Sequence, residues 1–379
     1  MTYNFYEFFA GGGMVRCGFD NGWRCLLAND IDMTKAAAYR DNWGDDELLV
    51  GDIATLTSED LPGAADLAWA SFPCQDLSLA GAGAGLSGGR SGLFWEFARL
   101  MSALAQEGRA PTIIAIENVV GTLSSNEGRD FAEIADAFFT LGYRFGALVI
   151  DAVQFVPQSR PRLFVIGLRR DIEPDRRHLW MGPSDDYHPK SLVRAWKGLP
   201  KRSAENWLWW RLRAPATRNT ELADVIENEP ADVKWNSERN TTALIDSMSM
   251  VNLDKIIAIR RANKRAVGTI YKRTRQGTVR AEVRFDGVAG CLRTPAGGSS
   301  RQTVIVVERD SVRTRLLSAR EAARLMGLPD DYRLPKNYNA AYHLAGDGVA
   351  VPVARHLSEN LFRLLLDRCR QPATARMAA

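Results

Sequence analysis

The residues best suited to chemistry begin with Ser71-Phe72-Pro73-Cys74-Gln75. Residues 66–70, just before it, are an apolar run that reads as a buried strand. Residues 80–92, just after it, are dominated by Gly, Ala and Ser and read as a loop. A cysteine leaving a core strand, pinned by a proline and facing such a loop, is placed like a nucleophile. A free cysteine is more commonly a small buried hydrophobe, and this stretch alone leaves both readings open. A second candidate is Glu117, which with Asn118 and Val119 closes the apolar run 112–116. A carboxylate there is costly to bury without a partner, and a raised pKa would suit it to proton donation near neutral pH. It could equally be a strand-end acid capping the next turn. The third is Gln158-Ser159-Arg160-Pro161-Arg162. Arginines at alternating positions entering a strand point to one face, which suits anion or base recognition, or the neutralising of nearby acids.

These groups need a scaffold that brings strand ends together. Residues 3–9 alternate aromatic and polar types and read as a first strand, which runs into Phe9-Ala10-Gly11-Gly12-Gly13. Glycines at a strand end allow a sharp turn and close approach of backbone to a ligand. Arg16 stands where a dinucleotide fingerprint would have its third glycine, so G-x-G-x-x-G is absent. A second strand, 23–28, ends at Asn29-Asp30-Ile31-Asp32. An acid about 20 residues after a glycine turn is where doubly wound folds hold ribose hydroxyls, which assigns Asp30; Asp32 is assigned to capping the Ala-rich helix 34–40. Asp52 and Ile53 leave a third strand end, suited to an adenine amino group and ring face. The continuous apolar runs at 66–71 and 112–116 are those of a parallel sheet covered on both faces. Later strands are expected at 147–152 and 162–168.

From about 171 to 310 the βα alternation fades. Trp207, Trp209 and Trp210 stand among Arg211, Arg213 and Arg218. Residues 255–284 hold ten Lys or Arg and one acid, Glu282. Basic residues this dense, including Lys272, Arg273 and Arg275, match a surface lying on phosphates, although a solvated basic face has the same composition. Residues 293–302, with Arg293, Ser299, Ser300 and Arg301, form a donor-rich loop able to touch base edges or backbone. Regular patterning resumes with the capping box Ser318/Glu321 and a helix ended by Gly327 and Pro329. A final amphipathic helix is expected over 353–366.

The chain has 379 residues, 46% hydrophobic and 25% charged, the balance of a globular protein of one large domain or two ordinary ones. No apolar run reaches the length of a membrane span, and the start lacks the pattern of a signal peptide. Five scattered cysteines without a C-x-x-C pair support neither a zinc ribbon nor a disulfide framework, so no metal is expected and a reducing cytoplasm is. The net charge of +4 is too small to argue from; its distribution carries more.

Taken in order, these motifs resemble those of the DNA cytosine-5 methyltransferases of prokaryotic type. Phe9 to Gly13 is similar to that family's S-adenosylmethionine loop, Pro73-Cys74-Gln75 to its catalytic motif, and Glu117-Asn118-Val119 to its E-N-V motif. Gln158 to Arg162 matches its Q-x-R-x-R. The stretch from Arg315 to Asp330 is similar to the motif that follows its target-recognition region, and Gly346-Asp347-Gly348-Val349 sits where it has G-N-x-V. The resemblance covers about 1–170 and 312–366. It implies a Rossmann-like, doubly wound, mostly parallel sheet of the S-adenosylmethionine-dependent type, formed by 1–170 with 312–379, and a smaller irregular β-rich target-recognition domain over 171–311.

The implied reaction is methyl transfer from S-adenosylmethionine, leaving S-adenosylhomocysteine, to C5 of a cytosine flipped out of double-stranded DNA. The roles carried over are catalysis by Cys74, Glu117, Arg160 and Arg162. The cofactor pocket would be lined by Phe9, Ala10, Gly11, Gly13, Asp30, Ile31, Asp52, Ile53, Pro73, Leu93, Asp347 and Val349. Contacts of Gln75, Ser78 and Arg90 with the DNA backbone complete the set. Two residues depart from the pattern: Asp347 replaces the usual asparagine, and Ile31 stands where an aromatic residue often meets adenine. The expected setting is a monomer in the cytoplasm, on the nucleoid, with a cognate restriction endonuclease as a counterpart that is not bound. A transfer-RNA cytosine-5 methyltransferase and an inactive DNA-binding module are the alternatives; a nicotinamide-dependent oxidoreductase fails on the missing glycine fingerprint.

Overall fold

The computed structural model describes residues 2–73, 92–275, 278–293, 301–309 and 311–370. The chain divides into two compact units. The first comprises 1–150, 161–215 and 353–379; the second comprises 151–160 and 216–352. The division expected from sequence, at 170 and 312, is not the division of these units. Residues 171–215 pack with the first, and 312–352 with the second.

The first unit is built on seven strands: β1 (Tyr3–Phe8), β2 (Trp23–Asp30), β3 (Leu48–Val50), β4 (Leu67–Ala70), β5 (Ile113–Val119), β6 (Tyr143–Asp151) and β7 (Pro161–Arg169). They form one sheet in the order β3-β2-β1-β4-β5-β7-β6. From β3 to β5 each pairing is parallel, and β7 runs antiparallel to β5. The continuous apolar runs are explained by cover on both faces. On one face, helix Leu93–Gln106 buries Phe94, Phe97, Leu100, Met101 and Leu104, a helical spacing. Helix Arg129–Thr140 does the same with Phe131, Ile134 and Phe138. On the other, the rings of Phe5, Phe19, Trp23, Trp69, Phe164 and Phe362 meet at centroid distances of 4.9 to 6.3 Å.

The tryptophans of 207–210 belong to this unit's core rather than to a basic surface. Trp207 packs on Phe131 and Phe145, and fully buried Trp210 donates from Nε1 to the Ile166 carbonyl at 3.1 Å. The last helix is longer than its amphipathic pattern suggested. It runs as α-helix over Val351–Leu357, widens to a π turn at Ser358–Phe362, and continues as α-helix over Arg363–Arg370.

The second unit holds β8 (Ala266–Arg275), β9 (Thr278–Arg284), β10 (Thr303–Glu308) and β11 (Ser311–Leu316), an antiparallel sheet in the order β11-β10-β8-β9. Helices Glu238–Asp246 and Met250–Arg261 stand within the stretch that the resemblance implied to be irregular and β-rich. Met248, Ile256, Ile270, Ala281, Val283, Ile305 and Val307 form the small core between helices and sheet. The capping box at Ser318 is present, with Glu321 N donating to Ser318 Oγ at 3.0 Å. Glu321 also takes a bidentate pair from Arg315 at 2.6 and 2.7 Å, both side chains fully buried. Gly327 ends that helix at φ 77°, where a Cβ would lie 2.4 Å from Pro352. Among the described residues no helix is long and apolar enough to cross a membrane.

Candidate active site

The parallel order brings the ends of β1, β2, β3 and β4 to one edge of the sheet, where Phe9, Asp30, Asp52 and Pro73 follow or close those strands. Beyond β1 the chain turns through Phe9 (φ 58°), Gly11 (φ 55°) and Gly13 (φ 75°). Gly13 is required twice over. Its φ is left-handed, and a Cβ would lie 2.4 Å from Trp43 Nε1 and 2.9 Å from the Tyr39 ring. Trp43 Nε1 also donates to the Gly12 carbonyl at 3.1 Å, so helix Met33–Trp43 clamps the turn. Phe9 holds a left-handed φ without being glycine, a local cost that residues next to ligand sites commonly carry.

Asp30 closes β2. Its Oδ2 accepts the Gly11 amide at 2.7 Å and its Oδ1 accepts the Asp32 amide at 2.8 Å; burial pushes its carboxyl upward. Asp32 caps helix Met33–Trp43, accepting from Thr34 N and Lys35 N, as its spacing implied. Asp30 pairs with Val50 across β2 and β3, which sets Asp52 and Ile53 at the neighbouring strand end. The Asn29 side chain locks that junction through the carbonyls of Leu49 and Gly51, each at 3.0 Å. Asp52 caps the next turn at Ala54 N, and Ile53 is buried. Ile31, by contrast, is 64% exposed, and Met33 beside it is 66% exposed.

Two carboxylates at adjacent strand ends accept from hydroxyl or amino groups. Exposed apolar side chains offer cover to a flat ring, and the left-handed glycine turn lets backbone come close. The donor set therefore fits a nucleoside-type cofactor. Leu93 is half-buried at the head of its helix. Asp347, exposed, and Val349, buried, lie in the second unit.

Glu7 was missed in the sequence. It sits in β1 two residues before the turn, 1% exposed, with Oε2 lacking a hydrogen-bond partner among the described residues. Burial pushes its carboxyl up to about 8, against the charge of Arg16 and the amides of Val15 and Arg16. The available signal was an acid inside an otherwise aromatic strand.

β4 runs out through Ser71-Phe72-Pro73. Ser71 N donates to the Phe8 carbonyl at 3.3 Å, and Asn118 Nδ2 donates to the Phe72 carbonyl at 3.4 Å, so the exit is held from both neighbouring strands. Asn118 Oδ1 accepts from Val119 N at 2.8 Å and Thr122 Oγ1 at 3.2 Å, which fixes its orientation. Pro73 is exposed at the end of this segment. Cys74, Gln75, Ser78 and Arg90 lie outside the described residues, as do Ser299 and Ser300.

Ala70 pairs with Ile116, so Glu117 stands one residue past the last β4–β5 pair. Its carboxylate is 9% exposed and meets Arg162 Nε at 3.0 Å. The partner that burial demands is thus Arg162, delivered by β7, where Val119 pairs with Arg162. Arg160 has a different task. It is 2% exposed, within the second unit, and donates to the carbonyls of Leu292 at 3.1 Å and of Gly346 and Gly348 at 2.9 Å. These contacts tie the segment carrying Arg160 to the backbone at 292 and at 346–348. Gln158 acts alike, bridging the Leu325 carbonyl at 2.7 Å and the Leu292 amide at 3.0 Å. Of the basic residues assigned to DNA, Lys272, Arg273 and Arg293 are exposed, while half-buried Arg301 lies over the Tyr338 ring at 5.2 Å and bonds Asn339. The Arg275 side chain lies outside the description.

The sheet order defines a Rossmann-like α/β fold, and the acids at its strand ends fit a nucleoside-type ligand. The same fold is found in the Dnmt2 methyltransferase of S. pombe, with TM-score 0.59, 18% identity, and 97% of this chain and 100% of that one covered. It is found again in the Entamoeba histolytica methyltransferase EhMeth, with TM-score 0.66, 14% identity and coverage of 98% and 100%. A model of the C-5 cytosine-specific DNA methylases matches residues 3–363, and the chain belongs to that family. Among its relatives is the type II methyltransferase M.NlaX of Neisseria lactamica, 26% identical over 360 residues, 94% of this chain and 95% of that protein.

Proposed function

We propose that this chain transfers a methyl group to C5 of a cytosine swung out of a specific duplex DNA site, with Cys74 as nucleophile toward C6. C5 of cytosine is itself a weak nucleophile. Addition of the Cys74 thiolate to C6 forms a C–S bond and moves a ring electron pair toward C5. C5 then takes the methyl group; as its proton departs, the pair returns to the ring and the C–S bond breaks, regenerating the thiolate. S-adenosylmethionine, when bound, supplies that methyl group in electrophilic form, and S-adenosylhomocysteine is left. Glu117 holds N3 and the exocyclic amine and gives N3 the proton that makes C6 electrophilic. Arg162 keeps the buried Glu117 in place and reaches the base carbonyl.

The cofactor is held by the turn Phe9, Ala10, Gly11 and Gly13, with Asp30 on the ribose and Asp52 on the adenine amine. Ile31 and Ile53 cover the ring, and Pro73 and Leu93 complete the lining. A target carbon inside a duplex is inaccessible, so the base leaves the stack to reach these groups. Gln75, Ser78 and Arg90 contact the backbone, and the second unit supplies site recognition. The setting is the cytoplasm, with chromosomal DNA as substrate and a restriction endonuclease of the same site as counterpart.

The observation that supports this reading most is the buried Glu117–Arg162 pair at 3.0 Å, one residue past the β4–β5 ladder from which Pro73-Cys74 emerges. The test is incorporation of tritiated methyl from S-adenosylmethionine into duplex DNA and into transfer RNA. Label in duplex DNA is expected. Label in transfer RNA alone would move the enzyme to the RNA reading, and label in neither would leave a binding module.

A further inference from the structure

The β8–β9 hairpin carries an arrangement that the transfer chemistry does not use. Its root is ordinary: Ile270, Ala281 and Val283 point into the small core beneath the two helices. Toward the turn the ladder pairs Tyr271 with Glu282 and Arg273 with Arg280. These four share the face opposite Ile270 and Val283, because side chains alternate along a strand. Like charges directly opposite one another in an antiparallel pair repel and weaken the hairpin. Here both arginines are exposed, as are Lys272 and Val279, so the repulsion is not offset by burial in the unit. Arg273 is shaped as well as charged. Its guanidinium lies over the Tyr271 ring at 4.9 Å, with Glu282 at 3.9 Å on its flank. A stacked guanidinium beside a second one presents a row of N–H donors of the geometry that takes phosphate oxygens.

We infer that the Arg273–Arg280 pair of the β8–β9 ladder grips the DNA backbone, adding affinity without reading sequence. The inference rests on duplex DNA being the substrate. Arg280 joins the contact set that composition alone had assigned to Lys272, Arg273 and Arg275. Tyr271 sets the Arg273 guanidinium, and the paired strands hold the two charges at one spacing, as consecutive phosphates require. Base readout falls to other parts of the unit.

The test uses the full chain and fluorescein-labelled duplexes, one containing the methylated site and one lacking it, with binding followed by anisotropy across roughly 50 to 200 mM salt. Neutralising one phosphate contributes about 0.9 to the slope of log affinity against log salt. Arg280→Ala should lower that slope by about 1 and Arg273→Ala/Arg280→Ala by about 2, equally on both duplexes. Arg273→Lys/Arg280→Lys should keep the wild-type slope, since charge is retained. Sequencing of 5-methylcytosine in a host expressing the double alanine variant should show the wild-type site. An unchanged slope in the alanine variants would overturn this grip, and so would a changed methylation site, which would mean base readout. Wild-type protein that binds transfer RNA and not duplex DNA would instead overturn the reading beneath it.

Discussion

Glu117 is the residue whose placement says most about the chemistry. A carboxylate on a buried strand must have a partner, and Arg162 from the antiparallel neighbour supplies one. The proposed role needs the carboxyl itself and not only its shape. Glu117→Gln should therefore slow methyl transfer by well over tenfold, roughly 1.4 kcal/mol of barrier, in a tritiated-methyl assay; a smaller loss would mean that another acid serves. Arg162→Ala leaves the carboxylate buried without its guanidinium. It should lower stability by up to about 3 kcal/mol in urea unfolding, and an unchanged midpoint would show the pair to be dispensable. Both residues were legible in sequence as strand-end charges, but their pairing was not, because it depends on β7 lying antiparallel beside β5. Arg160 was legible only as a charge. Its acceptors are backbone carbonyls more than 130 positions away in the chain, and no side-chain pattern announces them.

At the scale of elements, the glycine turn and the strands around it form one device. Trp43 and Tyr39 close over Gly13, Asp30 holds Gly11, and Glu7 lies beneath. Gly13→Ala should strain the turn and collide with Trp43. The expected result is loss of the thermal shift that S-adenosylhomocysteine gives the wild type; a full shift would mean that the turn does not hold the cofactor. Glu7 adds a pH dependence. Its folded pKa, about 8, lies above the ordinary 4.5, so the folded state binds the proton more tightly. Its contribution is fully present below about pH 4.5 and is lost as pH rises toward 8, with a slope of at most about 1.4 kcal/mol per pH unit. Glu7→Gln should therefore lose less stability than wild type between pH 5 and pH 8 in paired melting curves. Parallel losses would place the proton elsewhere. The turn was readable because glycine and strand-end acids have few other uses in that order. Glu7 escaped notice because an acid within an aromatic strand looks like ordinary alternation.

For the molecule as a whole, the sheet was readable, and the compact units have bounds other than 170 and 312. Apolar runs mark β4 and β5 plainly, since strands covered on both faces tolerate little else. The stretch 171–215 misleads because its tryptophans are interspersed with arginines, yet Trp207 and Trp210 complete the first unit's core. Helix Met250–Arg261 is equally hidden. Only Asn252 and Ile256 of it are buried, while Met250, Val251 and Ile257 are exposed, so no clean apolar stripe marks it. The proposed reaction delivers a base to a single thiol, and that can be measured. Duplex DNA carrying 5-fluorocytosine at the target position would be incubated with the protein and S-adenosylmethionine. Fluorine cannot leave C5 as a proton does, so the C–S bond has no route to break. A denaturation-resistant protein–DNA adduct is expected, mapped by mass spectrometry to the peptide containing Cys74 and absent in Cys74→Ser. An adduct on another residue, or transfer of methyl with no adduct formed, would contradict the account.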